Sequence, residues 1–332
     1  MTLARKAQRR GIAAAFLSAI FLGTAPIFGK QAYAFGMEPL ALAAWRTVFA
    51  ASGLWLIYGA LGRKYLFIYP AGLIGCIAVG AVNGIGSLLY YTGLHRVDAG
   101  VGQMVYSLYP LFLVVFLRLD GHRFSALTMF RMLLALLAVA FLSQTGDGPV
   151  DAIGLGLMVG AGLLYALHLA LSQRVSYEMP AQTLTLYSLT AMAAVVSVAY
   201  LLSASVSAGA PQATQAIPFL YVPAAAWGPT AGLAFVTLVS RLGMFVGVKR
   251  LGSLQTALIG ITEILVTLLL ALTLLGEALD PKQWIGAVLL MGSLLLIGRE
   301  PALGLRLRRK PKAAKNVTTS SPTIVTNLKS VR

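Results

Sequence analysis

Leu258-Ile259-Gly260-Ile261-Thr262-Glu263-Ile264-Leu265-Val266-Thr267-Leu268-Leu269-Leu270 is an apolar run with a carboxylate in its middle. A charge at the centre of a bilayer costs at least ~2.5 kcal/mol unless it finds a partner or water, so an intramembrane ionisable group marks a functional site by default. The surrounding chain has the composition such a run implies. Of its 332 residues 58% are hydrophobic and only 11% charged, with a mean hydropathy of +0.82. Soluble domains carry roughly a quarter charged residues, which places this chain among integral membrane proteins.

A helix needs about 20 apolar residues to cross a bilayer. Ten such runs occur, at 12–33, 39–60, 71–92, 99–117, 124–143, 153–173, 181–202, 226–248, 253–275 and 281–298. Most connections are short turns such as Leu61-Gly62-Arg63-Lys64, Gly146-Asp147-Gly148-Pro149 and Asp280-Pro281. The stretch 203–225 is uncharged, carries Pro211, Pro218 and Pro223, and reads as an irregular external loop. The first apolar run follows Arg5, Lys6, Arg9 and Arg10 and has no A-x-A cleavage pattern, so it reads as an uncleaved span.

The formal net charge of +16 is a topology signal, with no nucleic-acid partner implied. With the N-terminus inside, the inner loops hold Arg63, Lys64, Arg118, Arg123, Arg174, Lys249 and Arg250, and the outer margins only Lys30, Arg96 and Lys282. Both termini are then cytoplasmic in a multi-pass plasma (inner) membrane protein. Residues 299–332 form a basic, disordered tail set against anionic lipid.

The chain repeats itself. Gly93-Leu94-His95-Arg96-Val97 matches Gly247-Val248-Lys249-Arg250-Leu251 at an offset of 154, and Gly11 and Gly154 open the first span of each half. Each half, 11–143 and 152–298, has five helices. An odd number forces the second half into the membrane upside down. Inverted repeats are a transporter signature, with the site near the midplane between them. The expected fold is therefore all-α, with ten transmembrane helices in two inverted five-helix repeats.

Four patterns carry a family resemblance. Leu22-Gly23-Thr24-Ala25-Pro26-Ile27-Phe28-Gly29-Lys30 ends the first span, and Pro39-Leu40-Ala41-Leu42-Ala43-Ala44-Trp45-Arg46 brings an Arg into the second. Leu108-Tyr109-Pro110-Leu111-Phe112 lies in the fourth. Glu263-Ile264, Leu275-Gly276-Glu277 and Gln283-Trp284-Ile285-Gly286 close the chain. In this order they resemble the ten-helix, EamA-type members of the drug/metabolite transporter superfamily, over residues 11–298. The chain departs from that pattern at Leu22 (for Trp), Tyr109 (for Ser), His122 (for Glu) and Ile264 (for Pro). The last removes the residue that would break span nine. The resemblance implies a secondary carrier that exports a small organic solute, such as a metabolite, an amino acid-like compound or a drug.

Candidate site residues are the polar groups at membrane depth. Glu263 lies near the midplane, and Tyr109 is its mate at the 154 offset. Arg241 falls at a similar depth on the preceding span, so Glu263 can pair with it directly or through water, handle substrate or a proton, or do both. Arg46 can snorkel outward, gate, or touch substrate. His168, one turn after Tyr165, reads as a satisfied helix contact or a proton relay. Asn83 reads as an interhelical hydrogen bond. Tyr90 and Tyr91 suit the outer interface belt. The pairs Gly80/Gly84, Gly156/Gly160 and Gly243/Gly247 suit close helix packing.

The chain has one cysteine, Cys76, and three histidines, and carries no Walker A, H-E-x-x-H or G-x-S-x-G motif. No cofactor or metal is expected, and the expected partners are a small-molecule substrate, lipid, and a coupling proton or cation if the solute's own gradient does not drive transport. Two other readings compete: a lipid-modifying membrane enzyme, for which His95 and Asp98 are the nearest catalytic pair, and a non-transporting scaffold or sensor.

Overall fold

A computed structural model describes residues 3–121, 126–142, 151–177, 179–208, 223–276 and 281–296. The described residues are helical, without strands. They form thirteen α-helices: α1 Leu3–Gly23, α2 Ala25–Ala34, α3 Pro39–Leu61, α4 Pro70–Arg96, α5 Ala99–Tyr106, α6 Tyr109–Leu119, α7 Ala126–Leu142, α8 Ala152–Ser176, α9 Ala181–Ala208, α10 Trp227–Leu251, α11 Ser253–Gly260, α12 Thr262–Leu270 and α13 Pro281–Leu295. Taken end to end they make eight stretches long and apolar enough to cross a bilayer, among them Ala7–Ala34, Ala99–Leu119 and Ser253–Leu275. The shorter apolar helices α7 and α13 pack on each other and take the places of the fifth and tenth expected spans. The expected external loop begins later than its sequence suggested, since α9 continues to Ala208. Residues 209–222 and the basic tail lie outside the described residues.

Three spans are broken, each for a local reason. Between α1 and α2 the Thr24 hydroxyl donates to Phe21 O at 2.6 Å, and Pro26 withdraws a backbone donor. Between α5 and α6 the Ser107 hydroxyl donates to Gln103 O at 2.7 Å, and Pro110 follows. Span nine breaks as well, between α11 and α12, although Ile264 stands where the family has Pro. Here Gly260 ends α11, and the Thr262 hydroxyl turns back onto Ile259 O at 2.7 Å. A weak helix former beside a back-bonding hydroxyl does the proline's work. Shifting α5 by 154 residues reproduces the bounds of α11.

The contacts carry the same symmetry. α4 packs on α8, and its counterpart α10 packs on α1, the counterpart of α8. A Cβ on Gly11 would lie 2.8 Å from Arg250 Cβ, and one on Gly154 would lie 2.9 Å from Arg96 Cβ. Both glycines admit the same close crossing at opposite ends of the fold. Gly80 and Gly84 likewise let α4 approach α9, and Gly243 and Gly247 let α10 approach α1. Gly156 has open space around it, so it is not the packing position its spacing suggested.

The ends of the spans are tied by polar contacts. Asp151 caps α8, accepting from Ile153 N at 2.8 Å and Gly154 N at 3.1 Å, and pairs with Arg96 at 3.1 Å. The Gly154 N–H, and then the Arg96 guanidinium, hold its carboxyl below the usual carboxylate range. At the other end Arg174 pairs with Asp120, Lys249 donates to Met179 O at 2.6 Å, and Gln173 Oε1 accepts from Ser253 N at 2.8 Å.

Candidate functional site: a central cavity with two buried arginines

The helices border a cavity, partly open to its surroundings, with about 450 Å³ of empty space, between α1/α2, α3, α4, α5, α8 and α10. Its polar wall comprises Arg46, Asn83, Ser87, Gln103 and Arg241, and its aromatic wall Tyr90, Tyr91, Tyr106 and Tyr165. Leu22, Ala25, Gly86 and Ala161 supply the remaining surface.

Arg46 does not snorkel. It is 5% exposed and reaches inward from α3. Nη1 donates to Thr237 Oγ1 at 2.9 Å, Nη2 donates to Ser87 Oγ, and the guanidinium lies 4.4 Å from the Tyr91 ring centroid. Its Nε has no hydrogen-bond partner. Arg241, 8% exposed on α10, donates to Asn83 Oδ1 at 3.1 Å and to Met244 Sδ at 3.7 Å, and lies 5.5 Å from the Tyr165 centroid. Cation–π contacts of this kind stabilise by ~2 kcal/mol when desolvated. The 154 offset organises these partners. Ser87 and Arg241 are mates, and so are Asn83 and Thr237. Arg46 joins one member of each mated pair, Ser87 and Thr237, and the remaining two, Arg241 and Asn83, bond to each other.

Glu263 is fully buried at the start of α12, and the polar group next to its carboxylate is the Gln103 amide, short of ordinary hydrogen-bond geometry. It does not form the direct ion pair with Arg241 that its depth suggested. The Arg241 guanidinium is held by Asn83 and Tyr165, and acts on Glu263 only through its field. Gln103 is the neighbouring amide, and Tyr90, Tyr106, Tyr109 and Tyr165 all lie within the field of the carboxylate. The Tyr90 hydroxyl donates to Gln103 Oε1 at 2.9 Å, leaving Gln103 Nε2 buried without a partner.

Tyr109 also stays behind the wall. It is 1% exposed, donates to Ala257 O at 3.0 Å, and packs against Tyr165 with ring centroids 4.8 Å apart. His168 is outside the cavity lining. Its Nδ1 meets Val79 O at 3.1 Å and its ring stacks on Tyr165, so it ties α8 to α4 as a helix contact. Asn83 makes the interhelical bond expected of it, and does so on the cavity wall. Tyr90 and Tyr91 line the cavity and are not interface-belt residues, because Arg46 and Gln103 draw them inward. Sequence reasoning missed Gln103, Ser87 and Thr237. The repeat offset was the available signal for Ser87 and Thr237, as the mates of Arg241 and Asn83. His95 packs edge-on against Tyr33 at 5.2 Å, and among the described residues no group of His, Cys, Asp and Glu could hold a metal.

Repeated, kinked membrane helices thus surround a polar cavity, and the family that the chain matches is one of membrane transporters. The chain belongs to the EamA-like transporter family, which matches it twice, over residues 9–144 and 152–299. An uncharacterized transporter of Bacillus subtilis, YcbK, is 27% identical over 271 residues, 78% of this chain and 83% of its own length. A solved crystal structure of a protein 17% identical shares the fold, with a TM-score of 0.64 over 88% of this chain and 96% of that one. Family and relative both point to a transporter and away from an enzyme.

Proposed function

We propose that the protein is a secondary transporter that moves a small organic solute across the plasma membrane by alternating access, with the repeats 11–143 and 152–298 rocking about the central cavity. The observation that carries this reading is the cavity itself. Its polar wall includes mated positions, Ser87/Arg241 and Asn83 with the adjoining Thr237, and it lies beside two spans broken at equivalent points. A site on the axis that relates two halves can face either side with the same contacts. The polar ties at the span ends, Arg96–Asp151 on one side and Gln173–Ser253 and Arg174–Asp120 on the other, would open in alternation. Export is the direction that the family resemblance implies, with both termini cytoplasmic. Energy comes from the solute's gradient or from a coupled proton or cation, for which Glu263 is the candidate carrier.

Counterflow in proteoliposomes tests the proposal. Vesicles holding the purified full-length protein and preloaded with unlabelled solute should accumulate the labelled solute transiently, and vesicles holding the double variant Arg46→Gln/Arg241→Gln should not. Lipid modification by the purified protein without any solute flux would favour the enzyme reading instead.

A further inference from the structure

Three charged side chains are buried among the described residues: Arg46, Arg241 and Glu263. Both arginines stand on the cavity wall, and Glu263 does not. Neither guanidinium has a carboxylate within ion-pair distance; each is held by neutral oxygens, by sulfur or by an aromatic face. The two also repel each other. A buried cation without a counter-ion is costly, and truncated or missing partners leave that cost unrelieved. The cavity therefore presents positive charge that the protein does not neutralise at the wall.

The charge on the wall then selects the ligand. The two guanidiniums on the wall have no carboxylate partner there, and an anionic group on the ligand would supply one. A ligand ammonium would meet the two guanidiniums, and no carboxylate stands on the wall to receive it. That arrangement disfavours cations and zwitterions. The Arg fork matches a carboxylate. The same lining offers Tyr90 and Tyr106, beside the Tyr91 and Tyr165 rings that meet the guanidiniums, to a flat or apolar body.

We propose that the cavity binds an organic acid, its carboxylate between Arg46 and Arg241 and its apolar or aromatic body against the tyrosines. This rests on reading the cavity as the transport site. The test separates the two ideas, because binding reads the ligand class and flux reads the transport. Calorimetry on the full-length protein in detergent compares three probes sharing one ring: phenylacetate, phenylalanine and phenethylamine. Phenylacetate should bind at least about tenfold tighter than the other two. Arg46→Gln and Arg241→Gln should each weaken it by at least about tenfold, since an ion pair desolvated on binding loses that much when one partner is truncated. Arg46→Lys and Arg241→Lys should recover part of the loss. Thermal unfolding of each ligand-free variant identifies any that is not folded, and the Lys variants then carry the test.

Preferential binding of phenethylamine or phenylalanine would overturn the proposal. So would phenylacetate binding unchanged in both Gln variants, or no binding of any probe. Inorganic phosphate binding as tightly as phenylacetate would overturn the aromatic part. Phenylacetate binding without counterflow would leave the ligand class standing and remove the transport function.

Discussion

At the scale of single residues, Glu263 departs most from soluble-protein rules. Its carboxylate is fully buried beside the Gln103 amide and has no ion pair, and the Arg241 guanidinium is committed to Asn83 and Tyr165. Breaking a true buried ion pair costs about 3–5 kcal/mol, whereas Glu263 has no ion pair with Arg241 to lose. Glu263→Gln should therefore unfold at the same temperature as the parent protein or higher. If Glu263 carries a coupling proton, the amide also fixes the neutral state, and transport by Glu263→Gln should lose its dependence on pH while exchange persists. Thermal unfolding in detergent and counterflow at several pH values measure the two effects. A stability loss of the ion-pair size would return Glu263 to a partnership with Arg241. The residue types and depths of Glu263 and Arg241 were legible in the chain, but their lack of a direct bond was not. Depth follows from counting along a helix, and contact depends also on rotation about its axis.

At the scale of elements, the kinks in spans four and nine matter most. The two are joined where Tyr109 packs against the break in span nine. Its hydroxyl lies well inside the space that a Cβ on Gly260 would need, and it donates to Ala257 O. Tyr109 is held by Tyr106 and Tyr165 and cannot swing away. Gly260→Ala should cost about 1–3 kcal/mol, the usual penalty of overpacking a well-filled interior. Tyr109→Phe removes the clashing oxygen, so Gly260→Ala/Tyr109→Phe should be more stable than Gly260→Ala alone. A double-mutant cycle by thermal unfolding checks this. Additive effects would mean that the two positions do not touch. Pro110 announced the first of these breaks in the sequence. The second was hidden, because glycine and threonine are common in unbroken membrane helices and act here only together.

At the scale of the whole molecule, the repeat and the charge asymmetry make a topology prediction. Reporter fusions after Lys64, Arg123 and Arg250 should read as cytoplasmic, and fusions after Gly148 and Gln212 as external. A cytoplasmic signal at Gln212 would break the inverted arrangement. The sequence by itself determined the membrane class, the places of the spans, the 154-residue offset and the family. Those properties are one-dimensional: bilayer thickness sets span length, and the offset survives as paired motifs. The tertiary structure alone decided which polar groups share a cavity. It turned Arg46, Tyr90 and Tyr91 inward, set His168 aside as a helix contact, and hid Glu263 and Tyr109 behind the wall. The physical reason is that hydropathy measures the cost of immersing a residue in lipid. A polar residue escapes that cost equally by facing water, a neighbouring helix or a cavity, and only the packed rotation of each helix chooses among them.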